Sequence, residues 1–172
     1  MIELLRTRRS IRKFTPDKID SRQIGILTEA ALRAPSSRGK NPWEFVVVDD
    51  PQIMLGLSQA KRHGSEFLRN APLGIVICAD SSISDVWIED CSIAAIIIQL
   101  TAHSLGLGSC WAQIRDRSHD AEDSAEEFVQ KLLGIPAHIR VETIVGIGHP
   151  GEEKNPLSAE ALQHAKIRSN HW

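Results

Sequence analysis

The chain has no paired cysteines, no long hydrophobic run and no surplus of either charge. Cys78, Cys91 and Cys110 are its three cysteines, with no CxxC among them. A disulfide scaffold is excluded. With no apolar stretch behind the basic N-terminus to read as a secretory signal, reduced thiols and a cytoplasmic setting are expected. The most apolar stretch, Ser92 to Ala102, is far shorter than the roughly 20 residues that cross a bilayer, and it carries Gln99. The net charge is −2, so nothing pulls the whole molecule toward nucleic acid or a membrane.

Several chemical signatures are also missing. Seven histidines are scattered without HxxxH, HExxH or paired Cys/His spacing, and no metal site is expected. There is no GxSxG, and Cys110 sits among strand residues as a structural thiol. Gly146-Ile-Gly148-His-Pro-Gly151 matches GxGxxG after a strand. Pro150 and the run EEKNP stand where a helix would have to open, so the match reads as a turn.

What is present is ordinary globular material. The 172 residues are 42% hydrophobic and 24% charged, enough for one domain over residues 1–172. A chain of this size buries roughly two thirds of its extended surface. The pattern predicts helices at about Glu3 to Arg8, from near Asp20 to Pro35, from Asp50-Pro51 to about Arg62, and from Ser84 to Leu105. A last helix runs from the Ser124/Glu127 capping box to Gly134. Strands are predicted at Trp43 to Val48, Leu73 to Ala79, Ser109 to Ile114 and Val141 to Gly148. Ile24, Leu27, Ala31 and Leu32 mark the buried face of the second helix. The fourth helix is apolar almost all round, as in a core or a subunit interface. The tail, residues 149–172, is too polar for a core of its own. The alternation of strands and helices suggests an α/β layer protein.

Two polar segments stand out. In Arg8-Arg9-Ser10-Ile11-Arg12-Lys13, an extended backbone puts Arg8, Ser10 and Arg12 on one side. Two guanidinium forks and a hydroxyl there suit a phosphate dianion, while the plain alternative is a solvated basic arm. In Ala34 to Trp43, small residues, two cations, Asn41 and two prolines form a donor-rich loop. Such a loop can meet a polar ligand edge or simply connect a helix to a strand.

The order and spacing of RRSIRKF, AxRAPSSxxxxPWEFVVV, LGLGSCW, GIP and IVGIGHP resemble the FMN-dependent nitroreductase family over nearly the whole chain. The resemblance implies an α+β fold with a small mixed β-sheet flanked by helices. It also implies a domain-swapped homodimer built on the long central helix, with the tail packed on the partner subunit. FMN would be bound at two sites shared between the subunits. Arg8, Arg9, Ser10 and Arg12 would lie around the phosphate, ribityl chain and ring edge. Pro35, Ser36, Ser37, Arg38 and Asn41 would come from the other subunit. Trp111, Ala112, Gln113 and Ile114 would lie along the flavin's reactive edge. Lys154 or Lys166 would reach the phosphate. The family often carries an asparagine where this chain reads His63-Gly64-Ser65, and Gln113 stands where some members have glutamate.

The implied activity is an oxidoreductase that passes hydride from NAD(P)H through flavin N5 to an electron-poor small molecule, a nitroaromatic or quinone, in ping-pong fashion. No indispensable catalytic side-chain acid or base is expected. Enone reduction, dehalogenation or dehydrogenation are alternatives within the fold. A flavin-free phosphate- or nucleic-acid-binding module using the basic arm is the alternative outside it.

Overall fold

The computed structural model describes residues 1–172. Four strands, β1 (Trp43–Val48), β2 (Leu73–Asp80), β3 (Gly108–Gln113) and β4 (Ile139–Gly148), form one sheet in the order β1-β2-β4-β3. Every pairing among them is antiparallel. The expected mixed sheet is therefore corrected for this chain. The only parallel contact is an isolated bridge between Ser10 and Ser109.

The two central strands are covered by helices on both faces, so β2 and β4 are continuous apolar runs. One face packs against α2 (Ser21–Leu32) and α4 (Trp87–Ser104), through Leu27, Ala31, Cys91, Ala95 and Ile98. The other packs against α3 (Pro51–Ser58) and α5 (Ala125–Leu133), through Met54, Leu57 and Val129. A short first helix, α1 (Ile2–Thr7), lies beside α4. The class is α+β.

Local signals explain the helix ends. The Asp20 carboxylate accepts from the Gln23 N–H and starts α2. Asp50 caps α3 by accepting from the N–H groups of Gln52 and Ile53, with Pro51 in the first turn. Ser124 and Glu127 complete a capping box, and Gly134 closes α5 at φ +67°. Some boundaries move: α3 stops at Ser58 rather than Arg62, and α4 begins at Trp87 rather than Ser84. Leu32, assigned to the buried face of α2, is 63% exposed. From Asn155 to Trp172 every residue is exposed.

Gly108 opens β3 directly beneath Ile11. A Cβ there would come within 2.8 Å of Ile11 Cβ and Cγ2. This glycine lets the basic arm lie flat on the sheet edge. Gly108→Ala is expected to cost about 1–3 kcal/mol by overpacking, and to lift the Arg8–Lys13 arm. Urea denaturation measures the first effect. Faster proteolysis within the arm measures the second.

Candidate functional site

The basic arm is extended from Arg8 onward and is held from two sides. On one side it lies against β3, where the Ile11 N–H donates to the Ser109 carbonyl at 3.0 Å. On the other it meets the start of the tail: the Thr15 N–H donates to His149 O at 2.9 Å, and the Gly151 N–H to Lys13 O at 2.8 Å. The Glu152 carboxylate accepts from the N–H groups of Arg12 at 2.6 Å and Lys13 at 3.2 Å. Lys154 Nζ donates to Ser10 O at 2.8 Å and lies 3.1 Å from Glu152. Arg9 donates to the Asn155 carbonyl. Of the two late lysines, Lys154 is beside the arm, whereas Lys166 stands on the exposed tail.

An open cavity of about 430 Å³ lies here, bounded by Arg8, Arg9, His103, Gly108, Ser109 and Lys154 among others. Ser10 and Arg12 adjoin the same cluster through Cys110. Burial pushes the Cys110 thiol pKa up, with Arg12, Ser10, Lys154 and Arg8 pulling it the other way. The thiol stays protonated, consistent with a structural cysteine.

β3 is a sheet edge, and its outward backbone groups can be assigned. The Ser109 carbonyl points outward to Ile11, while the Ile114 N–H points inward to Glu142 O at 3.1 Å. Backbone direction alternates along an antiparallel edge. Ser109, Trp111 and Gln113 therefore direct their main-chain groups away from β4. Beyond the Ser10 bridge, Trp111 and Gln113 offer main-chain donors. Their side chains are half-buried and linked, Trp111 Nε1 donating to Gln113 Oε1 at 2.9 Å. Gln113 Nε2 donates to Arg115 O at 3.1 Å. Ala112 and Ile114 are wholly buried, on the side of α3 and α5.

The loop from Pro35 to Asn41 lies elsewhere, at the start of α4. The Ser37 N–H donates to Asp90 Oδ1 at 2.8 Å, and Lys40 Nζ to Ile83 O at 2.8 Å. Ser36 and Asn41 are joined twice, at 2.7 and 2.8 Å. Arg38 and Asn41 adopt φ of +55° and +48°. Such left-handed conformations in non-glycine residues persist only when their surroundings hold them. His63 is exposed, and Ser65 is spent on Ser58 O at 2.9 Å, so this stretch belongs to the turn after α3.

One chain does not bring the two segments together. The loop is tied to Asp90 and the arm to His103, thirteen residues further along α4. At helical rise the separation is about 20 Å.

The model of the family described as "Nitroreductase family" matches residues 5–62 and 51–149. The chain belongs to the nitroreductase family. A relative from Archaeoglobus fulgidus, whose name covers NADH dehydrogenase and NAD(P)H nitroreductase, is 36% identical over 92% of this chain and 90% of its own. An FMN-dependent nitroreductase structure from Clostridium difficile is 46% identical, covers the whole of both chains and superposes with a TM-score of 0.98. The NADPH:FMN oxidoreductase of Vibrio harveyi, solved with NAD+, is 25% identical with a TM-score of 0.84, over 99% of this chain and 77% of that one.

Asp90, His103, Glu142 and Glu152 were not found by sequence reasoning. Glu142 is the most unusual. It is the extra residue of a β-bulge, since Thr143 pairs with Ile77 and Val141 with Cys78. Its side chain is 3% exposed. Oε1 lies 3.5 Å from Gln113 Nε2, and Oε2 has no partner. Burial raises its carboxyl pKa. The Gln113 hydrogen bond and Arg115 oppose the rise, and Asp116 and Glu126 add to it.

A carboxyl whose pKa rises on folding favours the protonated form in the fold. Its ionisation costs stability as pH climbs from the ordinary glutamate range through the raised value. Glu142→Gln should remove that loss. Its advantage over the wild type should be absent in acid and grow as pH climbs above the ordinary glutamate range. Urea midpoints across the pH range test this, and a difference constant with pH would contradict it.

Proposed function

We propose that this chain is an FMN-dependent NAD(P)H oxidoreductase acting on an electron-poor small molecule, as a homodimer with shared flavin sites. The observation that carries the reading is the cluster of Arg8, Ser10 and Lys154 beside an open cavity, next to an edge strand with free main-chain donors. That donor set fits FMN. Guanidinium and ammonium groups suit its phosphate, and N–H groups in a row suit the polar edge of its ring. The names of the family relatives point the same way.

In this reading Arg8, Ser10 and Lys154 hold the phosphate, with Arg9 flanking it. Glu152 does not neutralise the cluster's purpose: it fixes the arm's backbone and aims Lys154. The outward N–H groups of Trp111 and Gln113 line the ring's central edge. A main-chain donor is indifferent to its side chain, which explains a glutamine where relatives have glutamate. Arg12 and Lys13 offset negative charge that gathers on the reduced ring. The bound cofactor supplies the hydride chemistry, and the protein supplies binding, orientation and electrostatics.

The dimer is supported by apolar surface with nothing to cover it. Ile93 and Ile96 on α4 are 39% and 38% exposed, and Ile2 and Leu5 on α1 are exposed as well. The tail carries exposed Leu157, Leu162, Ile167 and Trp172. An isologous pairing of α4 would bury the first set. A trough of about 370 Å³ between α2 and the free edge of β1 suits the second set, on the partner subunit. It is lined by Leu32, Trp43, Phe45 and Val47.

The purified protein should be yellow and release FMN on denaturation. Arg8→Ala should weaken FMN binding by about 1.5–3 kcal/mol, the scale of a charge-assisted hydrogen bond. Riboflavin, which lacks the phosphate, should bind wild type and variant about equally. Equal weakening of both ligands would remove Arg8 from the phosphate, and a colourless protein that takes up no flavin would overturn the function.

A further inference from the structure

Asp90 and His103 have no part in the binding scheme above, yet each grips one of its halves. Asp90 stands in the first turns of α4, is 2% exposed, and makes two hydrogen bonds. Oδ1 accepts from the Ser37 N–H at 2.8 Å, and Oδ2 accepts from Ser84 Oγ at 3.1 Å. The bond to Ser37 is the tie between α4 and a loop that carries two left-handed non-glycine residues. His103 stands in the last turn of the same helix, 2.8 Å from Thr7 Oγ1. The Thr7 hydroxyl already donates to Glu3 O at 2.7 Å, so its oxygen accepts and His103 Nε2–H donates. Thr7 is the residue before Arg8, and both His103 and Arg8 border the phosphate-side cavity.

We infer that Asp90 and His103 are positioning residues that fasten the two halves of the flavin site to opposite ends of one rigid helix. α4 then sets the spacing between the donor loop and the basic arm, and an antiparallel copy of α4 sets loop against arm. Asp90 preorganises the loop, and His103 fixes the turn into Arg8. Asp90 lies outside the cavity, and His103, at its border, acts through Thr7. This inference rests on the FMN reading, but its parts can fail separately.

The two ends predict different ligand signatures. Asp90→Ala should speed backbone amide exchange at Ser37, Gly39 and Lys40 in the flavin-free protein. It should also weaken FMN and riboflavin by the same factor, about tenfold or more, since the scheme above gives the phosphate to Arg8, Ser10 and Lys154 and not to the loop. Asp90→Asn keeps a carbonyl for the Ser37 N–H and should behave like wild type in both assays. His103→Ala should weaken FMN more than riboflavin, and His103→Gln, whose amide can donate to Thr7, should restore the ratio. If Asp90→Ala does not fold, Asp90→Ser keeps a polar residue too short to reach Ser37 and takes its place. Wild type that binds FMN while Asp90→Ala holds it equally well would overturn the inference and leave the function standing. So would Asp90→Asn being as impaired as Asp90→Ala. Wild type that binds no flavin would overturn the function itself.

Discussion

The length of α4 is the constraint on which the rest of the site depends. An α-helix is stiff, and this one is packed along its length on the sheet and α2 through Cys91, Ala94, Ala95, Ile98 and Ala102. Its ends therefore lie at a fixed separation of about 20 Å. The donor loop is tied near its start and the basic arm near its end. No side-chain motion brings them together within one chain. In the proposed dimer, two-fold symmetry would do so without new machinery, because an antiparallel copy exchanges the ends.

The basic arm illustrates a second balance. Five cations fall within the first thirteen residues of a chain that is mildly acidic overall. Their mutual repulsion is tolerated because the backbone is zipped between β3 and residues 149–151, and because Glu152 sits among them. Gly108 makes that zipping sterically possible. Arg6 pairs with Glu3 on the surface, whereas Arg8, Arg9, Arg12 and Lys13 form no side-chain salt bridge, and the first two border an open cavity.

Much of this was legible in the residues. The caps at Asp20, Asp50 and Ser124 announced their helices, since a short oxygen-bearing side chain before an apolar period has few other uses. The arm and the loop were visible as unusual local composition, and the resemblance to the nitroreductases tied them together. Strand direction was hidden, because burial on both faces erases the alternation that marks antiparallel strands. Asp90, His103 and Glu142 were hidden for another reason. Each takes its role from a partner distant in sequence: Ser37, Thr7 and Gln113 respectively. Leu32 falls in the apolar row of α2, and its exposure fits the trough that the proposed partner subunit would cover.

Complementation between two defective chains tests the shared site most directly. A chain altered in the arm, Arg8→Ala with Arg12→Ala, is mixed with one altered in the loop, Ser36→Ala with Asn41→Ala. Flavin content is then measured in the isolated mixed dimer. If each site takes its arm from one chain and its loop from the other, one site has both intact halves and the other has neither. The mixed dimer should hold one FMN at wild-type affinity, while each parent dimer holds it weakly. If arm and loop of one chain serve the same site, every site in the mixed dimer is defective. Failure to recover any tight FMN would then contradict the account.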